Sequence, residues 1–124
     1  MAGFTKKQLQ RIGESMVSAL LTEAGCTILE RNFITKSAEL DIIAIYGRKL
    51  VVVEVRTRTF TTNMTPDLLF SHSKQHRIRR SISIFRRSRT DYSHLQLSIR
   101  YYLVLHSQQQ QSFKIIKVLP EQIT

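Results

Sequence analysis

The sequence predicts an α/β fold in which a mixed central sheet is flanked by helices, in the order helix, three strands, helix, two strands. Two observations lead to this prediction. Apolar residues recur at helical spacing in two segments, whereas five other segments are rich in β-branched residues or alternate apolar with polar positions. The chain has 124 residues, which is the size of one domain, so we expect residues 1–124 to share one core.

The first helix is predicted from Thr5 to Ala24. Thr5 and Gln8 fit a capping box, and Gly25 is a typical C-terminal stop. An apolar stripe should face the core, and Glu14 falls outside it, so Glu14 should face either solvent or a site beside the sheet. The stripe consists of Leu9, Ile12, Met16, Ala19 and Leu20, widened by Val17, Leu21 and Ala24.

The first strand is predicted from Cys26 to Phe33. Cys26 is the one cysteine of the chain, so no internal disulfide can form and a reducing, cytoplasmic location is expected. Residues 1–7 lack the apolar stretch of a signal peptide, and no apolar run is long enough to span a bilayer. We therefore expect no membrane partner.

A β-hairpin gives the second and third strands and is the most informative feature of the chain. Two β-branched runs meet at Gly47-Arg48, a typical two-residue turn. With this turn, Asp41 falls opposite Glu54. Two residues farther from the turn, Glu39 falls opposite Arg56. Opposed side chains lie about 5 Å apart at Cβ, and two like charges at that distance are destabilising unless a cation or a proton relieves the repulsion.

A polar, Thr-rich loop is predicted over residues 57–66, followed by a basic second helix. This helix should begin at Asp67 or at Ser73 and end near Arg87. Its core-facing positions are Ile78, Ile82 and Phe85. Its basic residues and those just after it are Lys74, Arg77, Arg79, Arg80, Arg86, Arg87 and Arg89. No acid lies among them and the chain carries a net charge of +10, which favours a polyanionic partner.

The last two strands are predicted from Leu97 to His106 and from Ser112 to Leu119. The first of them alternates strictly, so one face should be apolar. The residues on that face are Leu97, Ile99, Tyr101, Leu103 and Leu105.

Asp41 and Glu54 are suited to bind a divalent cation. Mg²⁺ prefers oxygen ligands, and a carboxylate-bound ion neutralises a phosphodiester and lowers the pKa of its bound water. The Val55 carbonyl would be a third ligand. Arg56 is permanently protonated, so it could stabilise a phosphate but could not act as a base. The structural alternative is that both carboxylates pair with Arg56 or Arg31.

Glu14 and Glu39 are further candidates for the same site. Either could belong to an outer shell around the ion or help to hold a second ion. The structural alternatives are a cross-strand ion pair between Glu39 and Arg56 and a solvated Glu14.

Four segments together resemble the YraN-like family, a largely uncharacterised bacterial group. They are Gly13-Glu14, Ile28 to Asn32, Ala38 to Ala44 and Leu50 to Arg58. The resemblance implies the restriction-endonuclease-like fold of the PD-(D/E)xK nucleases. The family's acidic positions correspond to Glu14, Glu39, Asp41 and Glu54, and a basic position at the start of the second helix corresponds to Lys74.

One departure from the family pattern bears on activity. Arg56 occupies the place of the motif lysine, which in this nuclease fold is taken to position or activate the attacking water. Two smaller departures are Ala38 in place of glycine and Tyr102 in place of aspartate.

The expected function is Mg²⁺- or Mn²⁺-dependent, nuclease-like action on DNA phosphodiesters, with branched or repair intermediates among the candidate substrates. Asp41 and Glu54 would hold the ion. The residues expected to contact the nucleic acid are Arg58, Lys74, Arg77 and Arg80. The alternatives are a catalytically degenerate nucleic-acid-binding protein and an interaction subunit whose basic helix meets an acidic protein.

Overall fold

The computed structural model describes residues 3–60 and 69–119. Its helices and strands are α1 (Lys6–Glu23), β1 (Thr27–Ile34), β2 (Glu39–Tyr46), β3 (Lys49–Thr59), α2 (His72–Ser88), β4 (Gln96–Ser107) and β5 (Ser112–Val118), with a short 3-10 helix (Thr90–Tyr92) before β4. The five strands form one sheet in sequence order. β3 and β4 are parallel and the other neighbours are antiparallel. This mixed sheet with its two helices confirms the predicted order and fits a restriction-endonuclease-like fold.

The predicted hairpin register is confirmed. Tyr46 pairs with Lys49, and the ladder continues without a shift to Ile42 and Val53. Gly47 in the turn has a φ of +59°, a conformation that costs glycine little. The register brings Asp41 and Glu54 to the point where the regular ladder ends.

The loop prediction over residues 57–66 was partly wrong, because β3 continues to Thr59 and pairs with β4 along that length. Residues 61–68, which include the rest of that loop and Asp67, lie outside the described residues. The second helix begins at His72 with Ser71 as its N-cap.

The capping box at Thr5 and Gln8 is confirmed, and so is the burial of Leu9, Val17 and Leu21 from the predicted stripe of α1. The rest of the stripe was wrong, because Leu20 is 40% exposed and the buried line also includes Gly13 and Glu14. Gly13 explains the difference. A Cβ atom at Gly13 would lie 1.8 Å from Thr57 Oγ1, so the missing side chain lets the helix backbone pack directly on β3. This close approach turns Glu14 toward the sheet.

Apolar cores cover both faces of the sheet, because successive strand residues point to opposite sides. The core on the α2 side contains Leu40, Ile43, Leu50, Val52, Phe70, Ile78, Ile82, Phe85, Leu95, Tyr101, Leu103 and Val118. The core on the α1 side contains Val17, Leu21, Cys26, Ile42, Ala44, Val51, Val53, Val55, Tyr102 and Val104. Ile78, Ile82 and Phe85 are buried as predicted. Neither described helix has the length and apolar character needed to cross a membrane.

Candidate active site

A cavity of about 330 Å³ lies beside α1, the start of β2 and the first turns of α2. It brings together most of the predicted site residues. Its lining consists of Gln10, Glu14, Ser37, Ala38, Glu39, Asp41, Arg56, Lys74 and Arg77. Acidic and basic side chains therefore meet in one opening at the end of the β2–β3 ladder.

Asp41 and Glu54 tie β2 to β3 where the regular ladder ends. The Asp41 backbone N–H donates to Glu54 Oε2 at 3.1 Å, and the Val55 backbone N–H donates to Asp41 Oδ2 at 2.8 Å. Each carboxylate thus accepts a backbone N–H of the other strand and links the two strands beyond the end of the ladder. Glu54 is 1% exposed, and its second oxygen, Oε1, is buried without a hydrogen-bond partner among the described residues.

The two carboxyl groups are held in an environment that disfavours their charge. Burial is the largest cause that raises the pKa of Asp41 to about 7, with smaller increases from Glu14 and Glu39. Burial, followed by repulsion from Asp41, raises the pKa of Glu54 well above its ordinary value. A cation placed between the two groups would lower both pKa values, because it would offset the lost hydration and the mutual repulsion.

Arg56 lies against this pair. Its Nη1 atom is 3.5 Å from Asp41 Oδ2 and donates to the Val55 carbonyl at 2.8 Å. The guanidinium also lies 5.9 Å from the centre of the Phe70 ring. The structural alternative for the two carboxylates is thus formed in part, because Arg56 pairs with Asp41. Among the ion pairs of the described residues, none joins Arg56 to Glu39.

Glu14 is buried rather than solvated, because α1 packs closely on β3. Gln10 Nε2 donates to Glu14 Oε2 at 2.9 Å, and Asn32 Nδ2 donates to Glu14 Oε1 at 2.9 Å. The same Asn32 amide nitrogen donates to Glu39 Oε1 at 2.9 Å. Arg31 lies 3.9 Å from Glu14. Glu14 and Glu39 are thus joined through one amide group.

Gln10 and Asn32 also belong to the site, although neither was predicted from the sequence. Asn32 lies in a family-like segment and adopts a φ of +56°, a left-handed conformation that asparagine tolerates better than most residues. Gln10 had no comparable signal, because two of its three partners, Val55 and Thr57, lie on a distant strand.

The predicted basic residues separate into two groups. Lys74 and Arg77 line the cavity, whereas Arg80 is exposed on α2 and does not line it. Arg58 is also outside the lining and donates to the Thr57 carbonyl at 2.9 Å. Partial burial, with a smaller effect of Arg56, lowers the pKa of Arg58.

Buried hydroxyl contacts hold α2 beside the acidic groups. Ser81 Oγ donates to the Ala38 carbonyl at 3.1 Å and lies 2.7 Å from Thr35 Oγ1. These contacts fix α2 to the segment that precedes β2. They explain why Arg77 and Lys74, one and two turns earlier on the helix, lie at the cavity.

Comparison with known proteins identifies the family. The model of the uncharacterised protein family UPF0102 matches residues 13–118. The chain belongs to this family. A UPF0102 protein of Moorella thermoacetica is 39% identical over 85 residues, which cover 68% of this chain and 71% of that protein. A UPF0102 protein of Rhodococcus opacus is 36% identical over 100 residues, which cover 80% of this chain and 85% of that protein. The resemblance to the YraN-like family is thereby confirmed.

The site of this UPF0102 member contains two closely placed carboxylates rather than a larger ligand cluster. Within residues 3–60 and 69–119, no group of three or more histidine, cysteine, aspartate or glutamate side chains is arranged to hold a metal ion. Two carboxylates are nevertheless enough for Mg²⁺, which commonly takes one or two protein carboxylates and completes its coordination with waters and substrate phosphates. The unpaired Glu54 Oε1 is the feature of this site that fits such an ion.

Proposed function

We propose that this protein is a Mg²⁺- or Mn²⁺-dependent, nuclease-like enzyme that binds DNA and hydrolyses its phosphodiester bonds. The observation that carries the proposal is the buried Asp41–Glu54 pair, with one carboxylate oxygen unpaired, beside a cavity lined by Lys74 and Arg77. Burial of a carboxylate oxygen without a partner costs stability, and a cation bound between Asp41 and Glu54 would remove that cost.

Asp41 and Glu54 would hold the ion. When bound, the ion would neutralise phosphoryl oxygens and lower the pKa of its water. Arg56 is placed to stabilise negative charge on the phosphate, since its guanidinium already lies within 3.5 Å of Asp41 and stays protonated. Glu14 and Glu39 are connected through the Asn32 amide. They would not bind the ion themselves, but would orient polar side chains such as Asn32 around it.

Lys74 and Arg77 supply the positive charge that would hold the DNA backbone. They line the cavity on the side of α2. A phosphate that enters the cavity would therefore lie between these two basic side chains and the acidic side chains of the lining. Arg58, two residues after Arg56, and Arg80, three residues after Arg77, are both exposed. They would contact further phosphates of the DNA backbone.

The direct test is cleavage of single-stranded, duplex and branched DNA with Mg²⁺ or Mn²⁺. The wild type should cleave at least one substrate, and Asp41→Asn should lose about 100-fold or more of the rate because a ligand to the ion is removed. Asp91→Asn is the matched control, since Asp91 is exposed in the 3-10 helix. A wild type that is inert on all substrates with both metals would contradict the catalytic proposal.

The second candidate is a DNA-binding protein without turnover, and Arg56 favours it. Arginine occupies the place of the family's lysine, and its guanidinium is already bound to the Val55 carbonyl. If the wild type is inert and Arg56→Lys cleaves DNA, this second candidate is correct. If the wild type itself cleaves DNA and Arg56→Lys only changes the rate, the first candidate, the nuclease-like enzyme, is correct.

Salt dependence of DNA binding distinguishes both candidates from a protein-interaction subunit. The logarithm of affinity should fall linearly with the logarithm of salt concentration. Lys74→Ala and Arg77→Ala should each reduce the magnitude of that slope by about 1. Arg48→Ala is the control, because Arg48 lies in the hairpin turn, about 20 Å along the strands from Asp41. DNA binding that is absent, or independent of salt, would favour a protein partner.

A further inference from the structure

The Val55 carbonyl oxygen is the third ligand that the sequence offers to a cation, and two side chains already bind it. Gln10 Nε2 donates to it at 2.8 Å, and Arg56 Nη1 donates to it at 2.8 Å. A carbonyl oxygen has two lone pairs. Both are therefore used, and a cation can reach this oxygen only if one donor leaves.

The Gln10 amide is held in place by all of its polar atoms. Its Nε2 atom also donates to Glu14 Oε2 at 2.9 Å, and its Oε1 atom accepts from the Thr57 backbone N–H at 3.3 Å. The Thr57 N–H fixes which end of the amide is oxygen, since it can only donate. Gln10 consequently presents its NH₂ group to Val55 in a defined orientation.

Arg56 and Gln10 differ as donors to Val55. The Arg56 guanidinium gains additional stabilisation from Asp41 at 3.5 Å and from the Phe70 ring. Gln10 is neutral, is half-buried on α1 and lines the open cavity. Replacing Gln10 therefore frees a lone pair of the carbonyl oxygen without removing a positive charge from the site.

We infer that Gln10 limits the affinity of the site for divalent cations by competing for the Val55 carbonyl oxygen. The ion gains this ligand only after the Gln10 amide moves away, so the protein binds the ion more weakly than its ligand set would allow. The inference rests on the proposed function, because it concerns the same ion. Gln10 is thus a positioning residue that controls occupancy of the site.

Binding of Mn²⁺ alone, without nucleic acid, tests this inference. Free Mn²⁺ is measured by electron paramagnetic resonance during titration of the wild type, Gln10→Ala and Gln10→Met. Removal of one hydrogen bond to the carbonyl should tighten Mn²⁺ binding about 3- to 10-fold in both variants. Gln10→Met keeps the side-chain length, so it reports on the lost donor if Gln10→Ala folds poorly. Gln96→Ala is the matched control, at the start of β4 near the hairpin turn.

A second titration distinguishes the carbonyl from Glu14, which Gln10 also binds. The tighter binding should persist when Gln10→Met is combined with Glu14→Gln. If it disappears in that background, the released Glu14 carboxylate is the cause and the inference is overturned. It is also overturned if the wild type binds Mn²⁺ and the Gln10 variants bind equally or more weakly. If neither the wild type nor any variant binds Mn²⁺, the proposed function fails and the inference fails with it.

Discussion

Asp41→Asn should stabilise the metal-free protein at alkaline pH. The pKa of Asp41 rises from 3.8 to about 7 in the folded protein. A carboxyl group with a raised pKa contributes stability that is complete below its unfolded pKa and is lost as pH rises through its folded pKa. For Asp41 alone, this linkage removes on the order of 2–3 kcal/mol of unfolding free energy between about pH 5 and about pH 8. Glu54 should add to the loss, because its pKa is also raised.

Urea denaturation at several pH values without divalent ions measures this effect. The unfolding free energy of the wild type should fall across that interval, and the fall should be smaller in Asp41→Asn by roughly 2–3 kcal/mol. Asp91→Asn should follow the wild type. Wild-type stability that rises from about pH 5 to about pH 8, or equal slopes for Asp41→Asn and the wild type, would show that folding does not raise the pKa of Asp41.

Two further predictions concern the backbone around the site. Gly13→Ala should lower the unfolding free energy by about 2 kcal/mol or more, because its Cβ would lie 1.8 Å from Thr57 Oγ1. Adding Thr57→Ala should recover part of that loss, and a double-mutant cycle without coupling would contradict this packing. Asn32→Ala should be less stable than Asn32→Gly by about 1 kcal/mol, since residue 32 has a φ of +56°. Equal urea midpoints for these two variants would show that the left-handed conformation is not required.

Much of the fold could be predicted because its determinants are local. The register of β2 and β3 follows from one turn and two β-branched runs. The capping box of α1 depends on residues three positions apart. The proximity of Asp41 and Glu54 is a consequence of that register, so it too could be inferred from the sequence.

The parts that could not be predicted depend on contacts between distant segments. The core-facing side of α1 is set by the fit of Gly13 against Thr57, and apolar periodicity does not reveal such a fit. Gln10 binds Val55 from 45 positions away in the sequence. Nothing near Gln10 in the chain distinguishes it from a solvated glutamine.

The most direct measurement of the central claim is a crystal structure of the protein soaked with Mn²⁺, with the ion located by its anomalous scattering. We expect one anomalous peak within coordination distance of carboxylate oxygens from both Asp41 and Glu54, and no such peak in Asp41→Asn crystals. A fully soaked wild-type crystal with no peak there, or with Mn²⁺ bound only elsewhere, would contradict the assignment of this acidic pair as a cation site.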